Sequence, residues 1–548
     1  MVVFVVMIVS LPLPAQDSPL YALPQNEPVF LSSSMALTPA RRYVVANRLT
    51  NSVSVVAPDT GTIEAEIAVG RDPRSVAVTP DGTRFLVVNR ADGTLSVIDA
   101  NTNTLSVTYP LGSQPFAVVA NNTMAYISVQ GSSDIIGIDF ANGTIVTRIL
   151  TPAFPAGLAL WGDFLYVTHF WSGAFSLIYL PTAQVVRTIQ PSASAGLSAN
   201  IEIDVRAGIA YLPQSILNHR LLHAPYDALM LPVVQVVDLA TMQPLRRYDL
   251  RWIDRPVNMP FAAKLTNDRS RLLIANAGSN DVTALDLASG RGAGFLPTGS
   301  FPQAVLFSRD GQAVYVHNGL DNTLIRANLR FLTADDIFPT TLQTAPANIQ
   351  IGAQLFYSAA DDRMSAGQAV SCAACHFDGQ SDGRVWWGFN TPALYALDAT
   401  APYSWIGTWN DLTAVNEHLR VVQAGRGLAG VDFDALLSYI RQLPIPRSPI
   451  TPDAAGVQRG AQLFAELNCG SCHAGERGTD NLAYDVGTGG QFRTPPLLAL
   501  WLTAPYLHDG TAPDLRALLT TGQGIHRLPP TLPDADIAAL IQYLLSRN

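Results

Sequence analysis

Lysine occurs once in the 548 residues, at Lys264, and charged residues make up only 14% of the chain. Positive charge is therefore almost all arginine and forms no basic patch, and with a net charge of −9 this argues against nucleic acid as a partner. So little charge beside 48% hydrophobic residues fits a globular chain and excludes a disordered one. After the first residues no apolar run is long enough to read as a membrane-spanning helix. No methionine follows Met364 and no lysine follows Lys264, so the last third of the chain lacks thioether and amine ligands. Cysteine is scarce too, with four in all.

All four cysteines stand in the same motif. "SCAACHFDG" holds Cys372, Cys375 and His376; "NCGSCH" holds Cys469, Cys472 and His473. One C-x-x-C-H could be a redox dithiol, half of a zinc site or the anchor of a covalent haem. A dithiol has no need of the histidine and usually occurs once, beside a βαβ pattern. A zinc ribbon would need the two pairs much closer in sequence. Two motifs that use every cysteine favour two haems c. In a helix, cysteines three apart share a face and can form thioethers to one porphyrin, while His376 or His473 reaches the iron from the proximal side.

The chain opens "MVVFVVMIVSLPLPAQDS". Its apolar run is too short for a transmembrane helix and suits the core of a signal segment over residues 1–25. No basic residue precedes the run, and a buried strand is the alternative. Haem attachment to C-x-x-C-H takes place outside the cytoplasm, which independently points to an extracytoplasmic bacterial protein.

A chain of this length holds several domains. From residue 28 to 340 it repeats: "YVVAN", "FLVVN", "AYISV", "LYVTH", "AYLPQ", "LLIAN" and "VYVHN", mostly 40 to 45 residues apart. Each unit reads as short alternating strands joined by Gly, Asp, Asn and Pro turns. Seven such units predict a seven-bladed all-β propeller, with "SSMALTP" as the inner strand before Tyr43. "SILNHRLLHAPYDALML" reads as an insertion. The units resemble the YVTN-type propeller repeats of bacterial exported proteins. His169, His219, His223 and His317 fall in this half and read as hydrogen-bonded structural residues in preference to metal ligands.

"TLQTAPANIQ" (341–350) carries no strand or helix pattern and reads as a linker. Thereafter the chain says one thing twice. "GAQLF" precedes each C-x-x-C-H; "TPALYALDATAPYSWIGTWNDL" (391–412) matches "TPPLLALWLTAPYLHDGTAPDL" (494–515); and "DALLSYIRQL" matches "DIAALIQYLL". Two all-α cytochrome c modules follow, at 351–447 and 452–548, with a Pro-rich join.

This pair resembles the bacterial di-heme cytochrome c peroxidases and the related diheme enzymes that oxidise protein tryptophans. The resemblance rests on both motifs, on "TAPYLHDG" and on the W-x-G turn "SWIG". It implies that Trp405 relays electrons between the haems, that His508 lies near the second haem, and that "RTPPL" (493–497) lies at a seam where the family binds a calcium ion. The family's methionine ligand is missing here, which leaves His526 for the second iron, with His508 next and Tyr506 a weaker third. His418 occupies the segment corresponding to that of His526 in the first module. No histidine lies between Phe377 and Leu412, so the family's capping ligand is absent. Glu417 and His418 are the acid–base candidates, although Glu417 follows W-x-G at too short a spacing. Trp386, Trp387 and Trp409 read as packing around porphyrin, Tyr403 and Tyr506 as packing between matched turns.

Three functions compete: a peroxidase-like diheme oxidoreductase using hydrogen peroxide and a protein electron donor or acceptor; an electron-transfer cytochrome whose propeller docks a redox partner; and a propeller-based binding protein with accessory haems. The role of His418 divides the first two, since a ligand there closes the iron and a free base leaves it open.

Overall fold

The structure is a computed structural model that describes residues 20–24, 26–220, 225–253, 255–397, 400–451, 453–522 and 524–547. His223 and most of the expected leader lie outside these residues. Seven antiparallel sheets occupy the first part, with inner strands starting at Met35, Pro73, Pro115, Pro155, Ala195, Pro260 and Pro302. They form a seven-bladed β-propeller. Its middle strands are buried on both faces, as in Tyr43–Asn47, while the outermost, such as Thr104–Pro110, are largely exposed. That is why the repeats read as apolar runs followed by polar ones.

An asparagine ending the second strand ties each of four blades together. Asn47 donates to Ser52 and Ser54, Asn89 to Thr94 and Ser96, Asn276 to Asp281 and Thr283, and Asn318 to Thr323. In the fourth blade His169 takes this place, sharing a hydrogen bond with Ser176 at 2.8 Å. His317 bonds Ser34 at 2.9 Å and His219 the Leu217 carbonyl at 3.0 Å, so these three propeller histidines serve the fold.

The ring closes by packing. Met35, Tyr43, Val45 and Val56 of the first blade meet Ala304, Ala313, Tyr315 and Leu324 of the seventh, each fully buried large side chain contributing roughly 1.5–3 kcal/mol. "SSMALTP" supplies the first inner strand, Met35–Leu37, as its pattern suggests. Upstream, Val29–Leu31 pairs with the inner strand of the fourth blade instead, and Ser33 then accepts from Val76 of the second. This segment thus spans several blades at the centre of the ring. Tyr21 stacks on Tyr179, and Leu20 and Leu23 pack between the fourth and fifth blades. Residues 20–24, expected within the 1–25 leader, therefore pack against the propeller. The insertion lengthens a hairpin of the fifth blade, Ile209–Leu217 with Met230–Asp238.

Two helical modules follow. In the first, α1 (Ala347–Tyr357), α2 (Ala373–His376), α3 (Val415–Val421) and α4 (Gly430–Arg441) surround the first motif. The helix α1 begins inside the segment expected to be linker, because Pro346 supplies a helix-compatible start. The second contains α5 (Ala454–Glu466), α6 (Leu515–Thr520) and α7 (Asp534–Ser546). The duplication is geometric as well as sequential. A Cβ on Gly352 would come 2.1 Å from the Ala435 carbonyl, and one on Gly460 2.1 Å from that of Ala539, so α1 crosses α4 as α5 crosses α7. Tyr403 and Tyr506 each donate to the carbonyl six residues back, Leu397 and Leu500, at 2.7 Å. The aspartates Asp411 and Asp514 each cap the turn that follows.

The first module sits on one face of the propeller. Phe377 enters a ring of Phe170, Phe261, Phe301 and Tyr357. Gln380 accepts from Trp171 and donates to Gln114, and Arg384 donates to the Trp171 and Ala195 carbonyls. Asp378, two residues past His376, is buried against Arg48, Arg74 and Arg90 of the propeller. The second module has its own core around Leu463, Leu515, Leu540 and Leu544. Among the described residues, no helix is long and apolar enough to cross a membrane.

Candidate functional site

A cavity of about 900 Å³ runs between the two modules and is lined by both C-x-x-C-H motifs. Cys372 is the N-cap of the one-turn helix α2 and Cys375 lies within it, so the two cysteines, three apart, share a face. The second motif is wound more tightly, with Cys469–Ser471 in a 3-10 turn. Residues three apart eclipse in such a turn, so the cysteines still share a face. All four cysteines are free. Burial pushes the Cys372 thiol up to about 11, against a hydrogen bond from Gln423.

The two motifs differ in exposure. Ala373, Ala374 and Phe377 of the first are buried beneath the propeller, whereas Gly470 and Ser471 of the second face solvent.

The histidines also fall into an asymmetric arrangement. His473 and His526 face each other with ring centroids 6.3 Å apart, although 53 positions of sequence separate them. Burial lowers both, His526 to about 4, with His473 adding to the effect. His473 is oriented by a 2.9 Å hydrogen bond between Nδ1 and the Gly478 carbonyl. In the first module His376 and His418 both line the cavity and burial lowers each to about 4, with His418 adding to the shift of His376. No corresponding ring pair joins them among the described residues; the ring that His418 meets is Trp409, at 5.7 Å. Counting from the matched caps Asp411 and Asp514, the position of His526 is taken in the first module by Gln423, buried beside Cys372 Sγ at 3.6 Å.

Glu417 is the expectation that the structure corrects. Its side chain is 68% exposed and pairs with Arg420 at 3.8 Å. One step along α3 turns a side chain by about 100°, so His418 faces the cavity and its neighbour faces water. Trp387 is likewise not buried packing: it is 39% exposed at the cavity rim, with Trp386 behind it at 5.8 Å.

The seam between modules is built on matched turns. Trp405 and His508, equivalent positions of the two halves, meet edge to face at 6.5 Å. His508 also stacks on Phe492 at 3.6 Å. Asn390 bridges them: its carbonyl accepts from Trp405 Nε1 at 2.7 Å, and its amide donates to the His508 carbonyl. Sequence reasoning missed Asn390, because only the fold brings it to both turns. Arg493, within the expected calcium segment, donates to the carbonyls of Thr400, Ser404 and Thr494 and to Asn481.

A family described as RoxA-like, cytochrome c-like matches residues 491–527, the stretch from the Arg493 seam through His508 to His526. Two relatives are each named methylamine utilization protein MauG. The one from Methylorubrum extorquens is 25% identical over 278 residues, covering 38% of this chain and 78% of the relative. The one from Methylophilus methylotrophus is 25% identical over 249 residues, covering 33% and 72%. Among solved structures, Kuenenia stuttgartiensis hydrazine synthase gives a TM-score of 0.47 at 17% identity, covering 54% of this chain and 94% of that one. Dihydro-heme d1 dehydrogenase NirN in complex with DHE gives 0.39 at 16%, covering 61% and 77%. The family match makes the segment holding His508 and His526 similar to a cytochrome c-like region.

Proposed function

We propose that the chain is an extracytoplasmic, peroxidase-like diheme enzyme in which the second module receives an electron and the first is the reacting site. The observation that carries this reading is the asymmetry of the histidines. His473 and His526, with ring centroids 6.3 Å apart, are the residues that would together hold the second iron. The first module has glutamine, Gln423, where the second has His526.

The residues present fit two haems c. Cys372 and Cys375 would hold one and Cys469 and Cys472 the other, with His376 and His473 as proximal ligands. His473 bonds the Gly478 carbonyl through Nδ1, which would leave Nε2 to hold an iron. A haem, when bound, supplies one-electron and peroxide chemistry that side chains do not. Two imidazoles would close the second iron and keep its potential below that of a His/Met site. His418 lines the first half of the cavity with its neutral form favoured, so its ring can accept a proton from hydrogen peroxide and return it. Trp405 would relay electrons across the seam, a role supported by its hydrogen bond to Asn390 and its contact with His508. The solvent-facing second motif is where a protein electron donor would approach.

Calcium fits less well. That cation takes six to eight oxygens, usually with carboxylates, whereas the fixed charge of Arg493 already fills the carbonyl cluster at the seam. No calcium role is assigned.

The test is peroxide-dependent oxidation of a reduced donor by the holoprotein. Substituting His418→Gln should lower kcat/KM by about a hundred- to ten-thousand-fold while both haems stay attached. Unchanged turnover would remove His418 from the chemistry. No peroxide-dependent turnover in the unsubstituted protein would favour simple electron transfer.

A further inference from the structure

The interface between propeller and first module contains more buried charge than docking requires. Arg74 Nη2 lies 2.7 Å from Asp378 Oδ1, Arg48 Nη2 3.2 Å from the same oxygen, and Arg90 Nη2 3.6 Å from Oδ2. Tyr357 donates its hydroxyl to the same carboxylate. A second aspartate, Asp72, pairs with Arg74 at 2.9 Å and Arg48 at 3.4 Å. The three arginines and Asp378 have side chains no more than 8% exposed. The three guanidiniums stay charged at any working pH and face two carboxylates, which leaves one positive charge uncompensated. Further along the same loop Asp382 is buried and Arg384 half-buried, and as one acid and one base they cannot offset it.

An unmatched buried charge is expensive. The cost falls when negative charge arrives nearby, and an electron placed on an iron held by His376 is such a charge. Asp378 follows His376 by two residues, with only Phe377 between them. The second module has no counterpart among the described residues: an exposed Gly475 stands two residues past His473, where the first module has the buried Asp378.

We propose that the propeller's Arg48, Arg74 and Arg90, acting with Asp378, raise the reduction potential of the first haem above that of the second. They thereby set the direction of electron flow toward the reacting site. This rests on the two-haem reading above and makes the propeller a positioning unit for the redox centre. The arginines touch neither substrate nor iron; they act through the field and through the loop behind His376.

Charge-changing variants separate this role from a merely structural one. Redox titration of the holoprotein, followed spectroscopically, uses the second haem as internal reference. Asp378→Asn removes a negative charge and should move the first haem upward; Arg90→Gln removes a positive one and should move it downward. Each should change electron sharing between the haems on the order of tenfold, in opposite directions. Tyr357→Phe removes a hydrogen bond without changing charge and should leave the potential in place. Shifts of the same sign in Asp378→Asn and Arg90→Gln, or no shift in either, would overturn the proposal. Should Asp378→Asn fail to retain the first haem, Arg90→Gln, whose contact is the longest of the three, still decides by its sign. Fewer than two covalent haems in the unsubstituted protein would instead overturn the reading on which the proposal rests.

Discussion

At the scale of single residues, the account depends most on His526. It approaches His473 from the far side of the cavity, at the end of a short turn after α6. His526→Ala should convert one low-spin ferric signal to high spin while the haem remains covalently attached. An unchanged spectrum would shift the assignment to His508, whose ring face is already covered by Phe492 at 3.6 Å. The propeller histidines predict a pH dependence. Burial lowers His317 to about 3, against roughly 6.5 in an unfolded chain. The native state then refuses a proton that the unfolded state binds, so stability is intact above about pH 6.5 and is lost as pH falls toward 3. His317→Gln should flatten that acid limb, by a few kcal/mol at most, when urea unfolding of the full chain is compared at about pH 7 and about pH 4. An identical pH profile in both proteins would contradict it.

Among elements, the repeated helix crossing offers the sharpest test of the duplication. Gly460→Ala places a methyl against the Ala539 carbonyl and should force α5 away from α7, at a cost of about 1–3 kcal/mol. Thermal unfolding should show the second module loosened, with the propeller transition unchanged. Gly352→Ala should do the same to the first module. An unshifted melt in both variants would mean the crossings are not as tight as described. These crossings were legible in outline, because "GAQLF" and the closing-helix pattern recur in order. The seven β-units were legible for a similar reason: strands buried on both faces leave runs such as "FLVVN" in the sequence. Glu417 was not, since adjacent candidates on one helix differ only by a rotation that spacing cannot fix. Asn390 and the arginine cluster were also hidden. Arg48 and Arg90 lie in turns and Arg74 in an inner strand of two blades, and they meet a loop some 300 positions away only after the ring has closed.

For the whole molecule, the proposed function gives each part a place in one electron path. The propeller covers the first motif, leaves the second facing solvent, and carries the Trp405–His508 seam between them on a fixed base. Trp405→Phe removes the indole and its hydrogen bond to Asn390, so both haems should stay bound while electron exchange between them slows; stopped-flow reduction with unchanged exchange would exclude the relay. The central claim is the inequality of the two iron sites, one closed by His473 and His526 and one left open beside His418. Electron paramagnetic resonance of the oxidised, unsubstituted holoprotein tests it most directly. The account predicts one high-spin and one low-spin ferric haem in equal amounts; two low-spin haems would contradict it.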